Sequence, residues 1–241
     1  MVIIFCMNID GSVALVTGAN RGLGLAFTKA LLARGAKKVY AAARDPKSVT
    51  LPGVIPIALD VTDEASVAKL RELGDVSLVI NNAGVSRGKG ALAPDALARA
   101  REEMNANFFG PLAVSAALAP NLAKNGGGAI VNVLSALSWA AFPTTTTYST
   151  SKAAAWALSN GLRHELKERG TNVIALHVGY VDTDMAAHVR TPKAKPDDVV
   201  NAALDAVEND APEAFGDELS KIVKANLSNG VYLQLPGAPS L

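Results

Sequence analysis

The sequence predicts an α/β domain built on a doubly wound parallel sheet, with helices on both faces in three α/β/α layers. Three observations carry that expectation. Short segments rich in Val and Ile alternate with longer alanine-rich amphipathic ones, which is the pattern of βαβ units. The short segments are mostly apolar rather than alternating, as strands buried on both faces must be. Three glycines, Gly18, Gly22 and Gly24, fall where the first apolar segment gives way to the first amphipathic one.

Taken in order, the strands are expected at residues 13–17, 38–43, 54–59, 77–81, 129–134 and 172–178. A helix over 23–33 ends at Gly35, and one over 64–72 is capped by Asp63. A longer helical stretch covers 95–122 with an interruption near Gly110 and Pro111, and another covers about 145–169 and ends at Gly170. The glycines at 126–128 read as a turn feeding a strand. Beyond Val178 the pattern loosens into a loop at 186–196, helices at 197–208 and 217–227, and a tail from Asn229 in which 231–235 is a candidate last strand. No repeat and no linker divides the chain, so residues 13–228 are expected to form one domain, with a substrate loop at about 180–196. Residues 1–12 read as a short leader, whose first six residues precede a second methionine, Met7, and 229–241 as a tail.

Composition narrows the function. A chain of 241 residues can bury roughly 70 to 75% of its unfolded surface without a covalent staple. The lone Cys6 excludes an internal disulfide and a cysteine zinc cluster, and the three histidines show no metal spacing. With 23 basic against 22 acidic residues there is no net field to gather nucleic acid or an anionic membrane. The apolar run 2–7 is too short to span a bilayer and lacks the marks of a signal peptide, so a cytoplasmic location is expected.

The glycine cluster reads Thr17-Gly18-Ala19-Asn20-Arg21-Gly22-Leu23-Gly24. Its spacing, G-x-x-x-G-x-G, differs from the common dinucleotide fingerprint. Glycines here let a pyrophosphate approach the free amides at a helix N-terminus, where the dipole favours an anion. A glycine turn without a ligand would show the same letters.

Further motifs follow in order: Asn81-Asn82-Ala83-Gly84, then Asn107 in N-x-x-G, then Tyr148-Ser149-Thr150-Ser151-Lys152. Over residues 11 to 185 this set resembles the short-chain dehydrogenase/reductase family, which has a Rossmann-type fold. The resemblance implies a nicotinamide cofactor held by Gly18, Asn20, Arg21, Gly22, Leu23 and Gly24. It places adenine against Asp60 and Val61, and the nicotinamide ribose beside Asn81, Ala83, Gly84, Tyr148 and Lys152. Gly179, Val181 and Thr183 follow the sixth strand on the nicotinamide side. Asp60 can also be read as a turn residue before Thr62 and Asp63. Ala43 stands where an NAD enzyme carries a carboxylate, and Arg44 follows it; with Arg21 it offers a pair of guanidinium groups for a 2′-phosphate. NADP(H) is therefore expected, with NAD(H) possible if the strand ran two residues further and Asp45 took the acidic role.

Tyr148 and Lys152, four apart in a helix, share a face. A phenol of pKa about 10 is a poor base, and a neighbouring ammonium is expected to lower it toward the working range. By resemblance Ser135, 13 residues before Tyr148, holds the substrate oxygen, and Asn107 kinks its helix and orders a water next to Lys152. Ser138 competes with Ser135 but lacks the spacing. The substrate pocket is expected among Ser135, Leu137, Trp139, Phe142, Tyr148, Gly179 and Tyr180, although Trp139 and Phe142 serve core packing equally well. S-x-x-K at 149–152 lacks the partner motifs of serine acylases. Two departures from the family stand out: Val178 replaces a proline, and the C-terminus lacks the residues that close the last strand in many tetrameric members, so a homodimer or monomer is expected. The expected activity is reversible NADPH-dependent reduction of a ketone or aldehyde. The alternatives are an NADP-dependent epimerase or dehydratase of the same fold, or a non-catalytic NADP-sensing protein.

Overall fold

The computed structural model describes residues 7–234. The chain opens with β1 (Val13–Thr17), α1 (Gly22–Ala33), β2 (Lys38–Ala43) and β3 (Ile55–Ala58). Next come α2 (Glu64–Ala68), β4 (Leu78–Asn81), α3 (Ala96–Met104), α4 (Gly110–Lys124) and β5 (Gly128–Val133). It closes with α5 (Thr146–Leu166), β6 (Thr171–His177), α6 (Pro196–Glu208), β7 (Glu213–Phe215) and α7 (Glu218–Ala225).

All seven strands pair in parallel in the order β3-β2-β1-β4-β5-β6-β7. The order reverses between β1 and β4, and in such sheets ligands bind in the crevice at the carboxyl ends beside that point. Two cores flank the sheet. Phe27 and Leu31 of α1 and Val200, Leu204 and Val207 of α6 pack on Val16, Ile80 and Ile174. On the opposite face Leu118 and Leu122 of α4 and Leu162 and Leu166 of α5 pack on Leu15, Val79 and Ile130. Neighbouring residues of the central strands therefore serve opposite cores, which is why those segments read as mostly apolar rather than alternating.

The structure departs from the sequence reading in five places. Ile9 is fully buried in the first core and its carbonyl accepts the Ser12 N–H at 3.0 Å, so the domain begins before residue 13; residues 1–6 lie outside the described residues. Strand β3 sits at the sheet edge with Ile55, Pro56 and Ala58 exposed rather than buried on both faces. The last strand is β7, three residues long and too short to stand out in the sequence, whereas Val231–Leu233 forms a 3-10 turn. Residues 235–241 are not described. The expected helix over 64–72 tightens from α2 into a 3-10 turn at Lys69–Glu72. The helical stretch before Gly110 widens at Asn105–Phe109 into a π-turn, a feature common where a helix serves a site.

Candidate active site

The loop from β1 to α1 is shaped by Gly18 and Gly22, at φ +65° and +53°, a region closed to most side chains. Gly24 lies in the first turn of α1, where a Cβ would stand 2.0 Å from the Gly18 carbonyl oxygen. Gly24 thus lets the helix close on the loop and does not itself face the cavity, unlike Gly18, Asn20, Arg21, Gly22 and Leu23. The Thr17 hydroxyl accepts the N–H groups of Asn82 and Ala83 at 3.0 and 2.9 Å, and the Asn82 amide donates to the carbonyls of Thr17 and Gly18 at 2.8 and 3.2 Å. Asn82 therefore fixes the glycine loop. Asn81, expected beside the ribose, points the other way: its amide donates to Asn132 Oδ1 at 2.9 Å and Ser115 Oγ at 3.2 Å, inside the protein. The reason is strand alternation, which sends consecutive side chains to opposite faces.

A cavity of about 1230 Å³ runs from Arg21, Arg44, Asp60 and Val61 past Ala83 and Gly84 to Ser135, Tyr148 and Gly179. That exceeds the 300 to 1000 Å³ or so of an ordinary small-molecule pocket and leaves room for a dinucleotide and a substrate together. Strand β2 ends at Ala43, and Arg44 stands exposed just beyond it. The Asp45 carboxylate accepts the Lys47 N–H at 3.0 Å and caps the turn Pro46–Ser48. Arg21 pairs with Asp184 at 3.3 Å, both largely exposed. Asp60 lines the cavity and also accepts from Thr62 N–H and Oγ1 at 2.9 and 2.7 Å, so both of its sequence readings describe it. Those bonds, helped by Arg44, hold its carboxyl below the usual range. The residues thus fit a nicotinamide dinucleotide: a glycine cradle at a helix N-terminus, cationic side chains at one end and a reactive cluster at the other.

That cluster forms where β5 and α5 meet. Ser135 follows β5 and caps the turn Ala136–Ser138, its Oγ accepting the Leu137 N–H at 3.1 Å. Ser138 is buried and its Oγ accepts the Ser135 N–H at 3.4 Å, so it supports Ser135 from behind. Lys152 is buried, donates from Nζ to the Val133 carbonyl at 2.8 Å, and stands 5.8 Å from the Tyr148 ring centre. Burial pulls the Lys152 ammonium down to about 8.

Contrary to the expectation of an acidified phenol, Tyr148 is pushed well above its ordinary value. Burial is the main cause, the Glu103 carboxylate adds to it, and the Ser135 hydroxyl pulls partly back. An ammonium 5.8 Å away and committed to a carbonyl does not outweigh the loss of water. Tyr148 therefore keeps its proton, the form needed to donate one.

Asn107 sits in the π-turn. Its Oδ1 accepts the Val85 N–H at 2.8 Å, and its Nδ2 donates to the Val85 carbonyl at 2.8 Å and to Ser151 Oγ at 2.9 Å. The side chain thus ties the wall after β4 to α5. A Cβ on Gly84 would lie 2.8 Å from Asn107 Oδ1, so a larger residue there would push the Asn107 amide from its place on Val85.

Leu137, Phe142, Gly179, Tyr180, Val181 and Thr183 line the cavity. Trp139 does not: it stacks on His177 at 3.8 Å and meets Trp156 edge-on at 6.2 Å, which makes it a packing residue behind Ser135. Gly179 donates its N–H to Asp217 Oδ2 at 2.5 Å, an anchor for the loop that carries Val178 in place of proline. Sequence reasoning missed Glu103, Asn82 and the side chains that α7 presents to the cavity. Asn82 stood inside a quoted motif; Glu103 and the α7 residues carry no signal apart from helical periodicity. Among the described residues no cluster of three or more His, Cys, Asp or Glu could hold a metal, and no helix is long and apolar enough to cross a membrane.

Comparison with known proteins bears on the fold and the family. A crystal structure of a short chain dehydrogenase from Burkholderia cenocepacia J2315 in complex with NADP is 38% identical, with a TM-score of 0.91 over 97% of this chain and 100% of that one. A short chain dehydrogenase of Pseudocercospora fijiensis is 30% identical over 209 residues; these cover 81% of this chain but 65% of that protein, under two thirds of its length. The 3-oxoacyl-(acyl-carrier-protein) reductase FabG of Escherichia coli is 30% identical over 194 residues, 74% of this chain and 77% of that protein. Residues 12–194 match the short chain dehydrogenase family as a whole, and with the cradle, the serine and the tyrosine–lysine pair in place the chain belongs to that family.

Proposed function

We propose that the protein reduces the carbonyl group of a ketone or aldehyde to an alcohol, reversibly and with NADPH as the preferred reductant. The observation that carries this reading is the convergence of Tyr148, Ser135 and Lys152 at one end of the cavity whose other end presents Arg21 and Arg44. When bound, NADPH supplies a hydride. The chain's own residues supply the proton and the field. Ser135 donates a hydrogen bond to the substrate oxygen, where negative charge develops. Tyr148, kept protonated by burial, passes its phenolic proton to that oxygen. Lys152, a cation below a pH of about 8, steadies the charge left on the phenol. Arg44 and Arg21 supply cationic hydrogen-bond donors for a 2′-phosphate, and the NADP complex of the Burkholderia cenocepacia relative supports that preference. The Escherichia coli relative is a reductase of 3-oxoacyl groups, which supports reduction of a keto group.

The test is oxidation of NADPH and of NADH across a panel of ketones and aldehydes, with Tyr148→Phe in parallel. Wild type should consume NADPH faster than NADH, and the variant should lose roughly 10² to 10⁴ in kcat while still binding NADPH. Full activity in the variant would remove Tyr148 from the proton transfer and overturn the mechanism.

A further inference from the structure

Helix α7 has an apolar stripe that the described residues leave partly exposed. Of its residues only Ser220 is buried, while Leu219 and Ile222 are 48% and 51% exposed. A surface helix ordinarily turns such a stripe onto the core. Here Leu219, Ile222 and Val223 face the same cavity that holds Ser135 and Tyr148. Tyr180 and Met185, 39% and 50% exposed, line it as well. The exposed apolar surface and the reactive cluster thus belong to one continuous space.

Charge points the same way. Of the basic side chains lining the cavity, Arg21 and Arg44 stand at the glycine-loop end, and Lys152 is committed to the Val133 carbonyl. Arg87 is paired with Glu102 at 2.7 Å, and Arg21 with Asp184. The Asp217 carboxylate is occupied by the N–H groups of Gly179 and Ser220. His188 is the remaining basic residue in the described lining, and the α7 wall, Leu219, Ile222 and Val223, contributes no charge and offers an alkyl chain a stripe.

We propose that the substrate is a neutral ketone or aldehyde with an extended apolar body, its carbonyl at Ser135 and Tyr148 and its chain laid along Leu219, Ile222 and Val223. This rests on the carbonyl-reductase reading. Other occupants of the stripe would be a second copy of the chain or the residues that follow Gln234, and the experiment separates them.

The experiment measures kcat/KM with NADPH for methyl ketones from 2-butanone to 2-undecanone, beside pyruvate as a charged small substrate. Each added methylene should raise kcat/KM about fourfold while the chain is gaining contact with the stripe. The double variant Leu219→Ser, Ile222→Ser should flatten that slope, with its fold checked by circular dichroism and NADPH binding. A flat series in wild type, or a preference for pyruvate, overturns the proposal. If no ketone or aldehyde is reduced at all, the carbonyl-reductase reading fails, and calorimetric binding of 2-undecanol judges the stripe alone. Binding that the double variant weakens tenfold or more supports the apolar site, and no binding overturns it. A chain ending at Gln234 that binds 2-undecanol far more tightly assigns the stripe to the tail. A dimer dissolved by the double variant with the slope unchanged assigns it to a second copy. Either result overturns the proposal.

Discussion

Glu103 and Asn107 stand one helical turn apart and grip alternate residues of the same stretch of chain. Asn107 pairs with both backbone groups of Val85, and Glu103 Oε1 accepts the Arg87 N–H at 2.7 Å. Ser86, between the two anchors, lines the cavity. The two side chains act on this wall as a neighbouring strand would. Glu103 is fully buried and its second carboxylate oxygen has no hydrogen-bond partner. Its charge therefore reaches Tyr148 and helps keep the phenol protonated.

Replacing Glu103 by Gln keeps an acceptor for Arg87 and removes the charge. Reduction needs protonated Tyr148 and is lost as pH rises through its pKa. Without the carboxylate that pKa falls, so the limb that belongs to the phenol, above the Lys152 titration near 8, should move to lower pH. Glu103→Ala also frees the Arg87 N–H and should raise KM. A raised KM in both variants with an unmoved limb would reduce Glu103 to an anchor.

Lys152 gives a second pH signature. Burial pulls it down to about 8, so in the free protein it is a cation below that pH and neutral above it. By family resemblance this ammonium donates to the nicotinamide ribose. NADPH affinity, followed by fluorescence titration, should weaken severalfold as pH rises through 8. Lys152→Met should bind weakly throughout with no inflection, and an inflection that survives in the variant would have to come from another group.

Arg44 and Arg21 should contribute unequally to cofactor choice. Both are exposed, but Arg21 already pairs with Asp184, and exposed pairs of this kind hold their partners only weakly. Arg44 stands at the end of β2, where Ala43 leaves room beside it. Charge-assisted bonds are worth about 1.5 to 3 kcal/mol, so Arg44→Ala should raise KM for NADPH roughly 10- to 100-fold and leave KM for NADH little changed. Arg21→Ala should do the same more weakly. An unchanged NADPH to NADH ratio in Arg44→Ala would shift the choice to other residues.

The strands were legible because each of the first six is short and mostly apolar and lies between turn residues, and the topology followed from their alternation with helices. The tyrosine–lysine pair was legible because helical periodicity places both on one face. Asn81 and Trp139 were not, because the direction of a side chain depends on where its strand or turn leaves the sheet. A single step in register carries a residue from cavity to core, which is what separates Asn81 from Asn82. The stripe of α7 was hidden for another reason: an amphipathic helix has the same sequence pattern whether its apolar side meets a core or a cavity. Nor did the sequence show that burial governs Tyr148, since the depth of a phenol is set by the packing of distant segments.

The packing behind Ser135 predicts how the fold responds to acid. His177, fully buried at the end of β6, stacks on Trp139 and places Nδ1 3.5 Å from the Ser135 carbonyl. Burial lowers its pKa, so the folded protein holds it neutral. Glu213 of β7 is held down to about 2 by the His177 ring and the Lys224 ammonium. Lys224 is the closer of the two, at 2.8 and 2.6 Å from the carboxylate oxygens against 3.5 Å for His177 Nε2. Both groups are depressed in the folded state, so the stability they contribute is present above their unfolded values and lost as pH falls. His177 begins to weaken the fold below about 6.5 and Glu213 below about 4.5. A shift of this size sets an upper limit of about 3 kcal/mol for Glu213, and its partial exposure to water reduces that to about 1 to 2 kcal/mol. At about 2 to 4 °C per kcal/mol, Tm should fall by several degrees between pH 6.5 and 3. His177→Phe, which keeps an aromatic ring against Trp139, should remove the upper part of that fall, and Glu213→Gln the lower part. A wild-type Tm that stays flat across this range would mean that neither group is coupled to folding. Because the folded protein keeps His177 neutral through the upper part of the fall, kcat should hold there while Tm declines.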